Sequence, residues 1–185
     1  MKSSIQPKAK GLIQIFTGSG KGKTSIANGM AIRAAGAGLR VAFVSFDKGG
    51  DFYHERKILE RIDGIDLYPT GCVRFNEETR KFRFGVEEQD VQEGSRGLQI
   101  LRDLYQQLKH DLIILDEINT STNLGILKEL EVLELIDAKP APIELILTGR
   151  DCPESLMEKA DLVSEVCSRK HYMMLGVPAR KGLDY

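Results

Sequence analysis

The feature that most restricts how this chain can fold is Gly18-Ser19-Gly20-Lys21-Gly22-Lys23-Thr24. It joins an apolar, β-branched run, Leu12 to Phe16, to a stretch of helical character, Thr24 to Ala35. A glycine-rich turn between strand and helix that ends in Gly-Lys-Thr is the setting in which backbone N–H groups wrap a polyphosphate. Its glycines let the backbone close around phosphate oxygens, and a helix starting near Gly22 turns its positive end toward them. Lys23 adds a mobile charge, and Thr24 offers a hydroxyl to Mg²⁺, which prefers oxygen ligands. The strict pattern G-x-x-x-x-G-K-[ST] asks for glycine where this chain has Thr17, so the loop is a variant. An ordinary glycine-rich turn is disfavoured because tripeptide, glycines and flanking elements agree. A dinucleotide fingerprint fits poorly, its third glycine falling on Lys23.

The rest of the chain continues the alternation. Gly36 and Gly38 close the first helix, and Val41 to Phe46 reads as a second buried strand. A helix from about Tyr53 to Ile62 and a weak strand near Ile65 to Tyr68 lead into Thr70 to Val86. That segment fits neither period and is expected to be a long functional loop. Leu98, Leu101, Leu104, Tyr105 and Leu108 place one apolar face on a helix from Gln89 to Lys109. Next come a strand at Asp111 to Asp116, a helix at Leu124 to Ile136, a strand at Ile143 to Thr148, a short helix at Pro153 to Lys159 and a strand at Leu162 to Val166. Strands apolar on both faces and separated by helices predict an α/β fold, a mostly parallel sheet with helices on both faces, and a ligand crevice at the strands' carboxyl ends. No repeat or linker divides the chain, so we expect a short N-terminal extension, residues 1–10, and a single nucleotide-binding domain, 11–185.

Charge excludes some partners. With 26 Lys+Arg against 27 Asp+Glu the net charge is -1, so no chain-wide field draws in nucleic acid or an anionic membrane. The longest apolar runs fall far short of the roughly 20 residues of a membrane span. Met1 to Lys10 lacks the apolar core of a secretory signal, and a cytoplasmic protein is expected. Cys72, Cys152 and Cys167 have neither C-x-x-C spacing nor zinc-ligand spacing and read as incidental thiols. His54, His110 and His171 form no metal-binding pair and read as packing or surface residues.

The second half of a phosphate site lies in Leu112-Ile113-Ile114-Leu115-Asp116-Glu117, an apolar strand ending in two acids. Asp116 or Glu117 could hold Mg²⁺ directly or through water; alone, the pair could equally cap the next helix. Thr148-Gly149-Arg150 closes a strand at the same edge, where Arg150 could reach a phosphate or form a surface ion pair.

These segments, with Leu115-Asp116-Glu117-Ile118-Asn119, Leu147-Thr148-Gly149-Arg150, Ala160-Asp161-Leu162-Val163-Ser164-Glu165 and the tail Gly176 to Tyr185, together resemble the P-loop corrinoid adenosyltransferases. The likeness runs in register from about Gly11 to the last residue and is weakest between Asp51 and Leu98. It implies a RecA-like P-loop fold, a homodimer, an electron donor that reduces cobalt, and transfer of the 5′-deoxyadenosyl group of ATP to the Co(I) of a corrinoid with triphosphate leaving. By position it also implies that Gly18, Ser19, Gly20, Lys21, Gly22, Lys23 and Thr24 bind triphosphate. Thr24 and Glu117 would serve Mg²⁺, to which the reading of the acidic strand end adds Asp116, and Arg150 would lie near the nucleotide; Lys23, Thr24 and Glu117 are the catalytic candidates.

Co(I) is its own nucleophile, so such an enzyme needs no general base. It needs alignment of cobalt with C5′ and stabilisation of the departing triphosphate. Phe75, Phe82 and Phe84 are candidates for a dry wall against the corrinoid; the alternative is that they pack the loop onto the sheet. Bacterial members carry an aromatic pair after a Thr-Gly step, where this chain has Cys72 and Arg74 within Thr70-Gly71-Cys72-Val73-Arg74-Phe75. Two other readings compete with this one. A nucleoside kinase of the thymidine-kinase type commonly carries a four-cysteine zinc ribbon, which three scattered cysteines cannot build. A non-catalytic ATP and corrinoid carrier would bind both ligands without forming a Co–C bond.

Overall fold

The central apolar runs become strands because they can bury side chains on both faces at once. The computed structural model describes residues 10–76 and 81–184. In chain order the elements are β1 (Ile13–Thr17), α1 (Lys23–Gly36), β2 (Val41–Ser45), α2 (Arg56–Leu59), β3 (Ile65–Pro69), β4 (Phe75–Asn76), β5 (Lys81–Phe82) and α3 (Glu88–Gln107). They continue with β6 (Leu112–Asp116), α4 (Ile118–Asn123), α5 (Glu129–Asp137), β7 (Glu144–Thr148), α6 (Glu154–Met157), β8 (Leu162–Glu165) and a 3-10 turn, Tyr172–Leu175. Six strands form one sheet in the order β3-β2-β6-β7-β1-β8, and every neighbouring pair is parallel.

Alternate residues of the strands feed two cores. Phe16, Val41, Phe43, Leu112, Ile114 and Ile146 pack with Ala27, Ala31 and Ala34 of α1 on one face. Ile15, Ala42, Val44, Ile113, Leu115, Leu145 and Leu147 face α3 and α5 on the other. This two-sided burial is why the strands read as unbroken apolar runs. Its consequence for function is that the polar ends of β1, β2, β6 and β7 are brought into line at one edge, with Phe16 opposite Thr148 and Ser45 opposite Asp116.

The amphipathic helix is found as read, beginning at Glu88, with Glu87 and Asp90 forming a reciprocal cap. Two expectations change. The helix expected from Leu124 to Ile136 begins only at Glu129, and a separate helix, α4, precedes it; Gly125 (φ 76°) makes a left-handed turn between them and the N–H groups of Ile126 and Leu127 return to the Ser121 carbonyl. The helix expected from Tyr53 to Ile62 shortens to Arg56–Leu59. Within Thr70 to Val86, Phe75 pairs with Phe82 in a two-stranded antiparallel ribbon. Residues 1–9 of the expected N-terminal extension lie outside the described residues.

The helix α3 lies close on the sheet because its buried side includes Gly97, where a Cβ would stand 2.5 Å from the ring of fully buried Phe46. Gly29 of α1 faces open space instead. Alanine should therefore have opposite effects at the two sites. Gly29→Ala should stabilise by about 0.5 to 1 kcal/mol through helix propensity, and Gly97→Ala should destabilise by about 1 to 3 kcal/mol through overpacking. Denaturant midpoints measure both, and shifts of the same sign would contradict the close packing of α3.

Candidate functional site

The phosphate loop is built where β1 meets the exit of β8. The Gly20 N–H donates to the Val166 carbonyl at 2.6 Å, and a Cβ on either Gly18 or Gly20 would stand 2.6 Å from that same oxygen. Gly22 (φ 119°) makes the final turn into α1. Thr17 explains the variant pattern. It remains in β1, opposite Glu165, and its hydroxyl accepts the Cys152 N–H at 3.2 Å. The turn is thereby deferred by one residue to Gly18, whose φ is 99°.

Lys23 is 5% exposed and its ammonium donates to the carbonyls of Gly18 (2.7 Å) and Gly20 (2.8 Å). Burial pushes its pKa down, with the charges of Arg150 and Lys48 acting the same way and Glu117 opposing them. The ammonium thus spans the loop, bonded to the loop's own carbonyls. Arg150 belongs to this electrostatic neighbourhood, and its own N–H donates to the Thr120 hydroxyl at 2.8 Å. Lys21, expected to help bind triphosphate, turns outward. It donates to the Tyr172 hydroxyl (2.9 Å), the Leu183 carbonyl (2.6 Å) and Asp184, the latter also held by Arg180 at 3.0 Å. The tail is thereby tied to the loop.

Asp116 is 1% exposed at the end of β6. Its Oδ1 accepts from the Thr148 hydroxyl (2.6 Å) and the Thr24 hydroxyl (3.1 Å), and its Oδ2 from the Lys48 ammonium (2.5 Å). Glu117 follows in a left-handed conformation (φ 64°), its N–H donating to Thr148 and its Oε2 accepting from Thr120 at 2.6 Å. Lys48 also donates to Thr24 Oγ1 at 2.8 Å and stands 3.7 Å from Glu117 Oε1. Burial alone would lower the Lys48 pKa, but Asp116 and Glu117 outweigh it and the net shift is upward. Sequence reasoning missed Lys48, since only the pairing of β2 with β6 brings it to the acids.

The oxygens of Thr24, Asp116 and Glu117 thus face one position that already holds a cationic group. Among the described residues, no group of three or more His, Cys, Asp and Glu is arranged for a metal. A hydroxyl and two carboxylates are a hard, incomplete donor set of the kind Mg²⁺ uses when phosphates and waters supply the rest. Beside it a cleft lined by Asn28, Phe43, Ser45, Tyr53, Leu67 and Pro69 opens at the same edge.

The irregular segment is held by ion pairs. Arg74 donates to Asp47 (2.7 Å) and to the Gly85 carbonyl (2.7 Å), and Arg83 makes two bonds to Asp90 at 2.9 and 2.7 Å. Arg74 is therefore spent on tying β2's exit to the ribbon. Phe84 is 90% exposed, and the side chains of Phe75 and Phe82 lie outside the described residues. His110 pairs with Asp66 at 2.7 Å, and His171 accepts the Met173 N–H, both structural roles. All three cysteines are free; burial pushes the Cys152 thiol up to about 12. No helix among the described residues is long and apolar enough to cross a membrane.

A model of the family "ATP:corrinoid adenosyltransferase BtuR/CobO/CobP" matches residues 9–185. The corrinoid adenosyltransferase of Escherichia coli K12 is 34% identical over 183 residues, covering 95% of this chain and 86% of that protein. That of Pseudomonas aeruginosa is 31% identical over 176 residues, with 95% and 84% covered. Corrinoid adenosyltransferase CobA of Salmonella typhimurium is 34% identical over 182 residues, with 95% and 86% covered. A KaiC-like protein of Pyrococcus horikoshii superposes with TM-score 0.57 at 17% identity, over 88% of this chain and 75% of that one, which places the fold as RecA-like.

The positive φ of Glu117 is costly for a residue with a side chain, and it yields a test. Glu117→Gly should leave the thermal midpoint unchanged or raised while weakening nucleotide-dependent metal binding. A marked loss of stability would mean that Glu117 serves folding.

Proposed function

The chain belongs to the ATP:corrinoid adenosyltransferase family, and on that premise we propose that it transfers the 5′-deoxyadenosyl group of ATP to the Co(I) centre of a corrinoid, releasing triphosphate. The observation that carries the assignment of roles is the convergence of Lys23, Thr24, Asp116 and Glu117 at the carboxyl edge of the sheet. The loop from Gly18 to Thr24 cradles triphosphate. Lys23 exchanges the carbonyls of Gly18 and Gly20 for phosphate oxygens, and Arg150 adds a second positive charge on the same side.

Thr24, Asp116 and Glu117 would hold Mg²⁺, which when bound neutralises charge on the departing triphosphate. The corrinoid's Co(I) supplies the electron pair for the new Co–C bond, and C5′–O breaks with its pair leaving on triphosphate. No group in the site has to take a proton. The protein's work is alignment and exclusion of water. Exposed Phe84 and the ribbon that carries Phe75 and Phe82 are where we place the corrinoid wall. Arg74, engaged with Asp47, is not part of that wall. A homodimer, a separate reductant for cobalt and a cytoplasmic location belong to the same reading.

Lys23→Ala should lower turnover at saturating ATP by at least about 100-fold, because a charge-assisted contact to the leaving group is lost. Near-normal turnover with unchanged helix content would remove Lys23 from the mechanism. Thr24→Ala and Glu117→Gln should each raise the Mg²⁺ concentration needed for half-maximal rate. The double variant should lose less than the product of the two, since both act on one ion; simple multiplication would speak against a shared metal.

A further inference from the structure

Lys48 is placed with unusual care for a residue no phosphate-loop pattern predicts. Its backbone N–H donates to the Thr70 carbonyl at 3.0 Å, and its carbonyl accepts from Arg56 at 2.6 Å. The preceding residue, Asp47, has φ 50°, and is held by Arg74. The following residue, Gly49, sits so close to the exit of β3 that a Cβ there would stand 2.3 Å from the Gly71 carbonyl. From this pinned backbone the side chain reaches inward, leaving 11% of it exposed. Its ammonium lies 2.8 Å from Thr24 Oγ1, 2.5 Å from Asp116 Oδ2 and 3.7 Å from Glu117 Oε1. These are the oxygens assigned above to the divalent cation, and the space between them cannot hold an ammonium and a metal ion together.

We propose that Lys48 is a resident counter-cation of this position, a positioning residue that keeps Thr24, Asp116 and Glu117 arranged for metal and must be displaced before a divalent cation can enter. The proposal rests on the metal position given under the proposed function. Displacement leaves the ammonium without Asp116, and the nearest replacement anion is the triphosphate bound in the adjoining loop. Metal alone must expel Lys48 with nothing to receive it. Metal arriving with ATP provides that partner, so entry of the divalent cation becomes tied to the nucleotide. The ring of Tyr53, 5.6 Å from the ammonium, lines the path along which the side chain can swing without leaving the cleft.

The test is Mn²⁺ binding followed by the electron paramagnetic resonance signal of the free ion, with Mn²⁺ alone and with Mn²⁺ plus ATP. Wild type should bind Mn²⁺ weakly alone and at least about 10-fold more tightly with ATP. Lys48→Met should bind Mn²⁺ alone at least about 10-fold more tightly than wild type, and its thermal midpoint should rise on adding Mn²⁺ where that of wild type does not. Lys48→Gln, whose amide can still donate to Asp116, carries the same expectation should the methionine variant fail to fold. Lys48→Arg, which keeps the charge, should bind Mn²⁺ alone as weakly as wild type. Equal affinities for Mn²⁺ alone in wild type and the neutral variants, with tight binding in the presence of ATP, would overturn the role of Lys48 and leave the metal position standing. Absence of Mn²⁺ binding with ATP in wild type and variants would overturn both.

Discussion

The carboxylate of Asp116 is the constraint around which the functional edge is organised. Burying an unpaired carboxylate costs several kcal/mol, so it must be surrounded by donors or a cation. Here it takes Thr148 from β7, Thr24 from α1 and Lys48 from the turn after β2, three elements from distant parts of the sequence. Removing one partner of such a buried pair costs about 3 to 5 kcal/mol, more than most single contacts in the fold. The carboxylate at the centre of the candidate site thus also ties β6 to β7, α1 and the turn after β2.

The order of strands makes this possible. With β7 between β1 and β6, the phosphate loop and the acidic strand end are held one strand apart, and Thr148 fills the interval by bonding both Asp116 and the Glu117 backbone. On the other side β2 lies against β6 with Ser45 opposite Asp116, which is what delivers Lys48. A β8 placed outside β1 gives the loop its rear wall at Val166. Each neighbour of the site is therefore a consequence of parallel pairing, and the two-sided apolar strands supply the stability that lets a cluster of charges sit at their ends.

Much of this was legible beforehand because it is local. The apolar runs, the glycine loop with Lys23 and Thr24, the acids at 116 and 117 and the amphipathic face from Leu98 to Tyr105 each announce themselves within a short window. What was hidden depends on contacts between segments far apart. Lys48 looks like any lysine in a turn until β2 is known to pair with β6. Lys21 reads as a phosphate ligand until Asp184 and Tyr172 in the tail claim it. The break at Gly125 was hidden by an apolar count that included Leu124, which is in fact half exposed. Arg74 reads as a missing aromatic, and only its bond to Asp47 reveals that it serves the loop's architecture.

The reaction proposed for this edge of the sheet is displacement at C5′, with no proton-transfer step and no phosphoryl transfer. It is tested most directly by mixing enzyme, chemically reduced Co(I) corrinoid and Mg-ATP for a single turnover and analysing both products. One light-sensitive Co–C bond should form for each molecule of triphosphate released. Appearance of ADP, or loss of ATP without a Co–C bond, would contradict it.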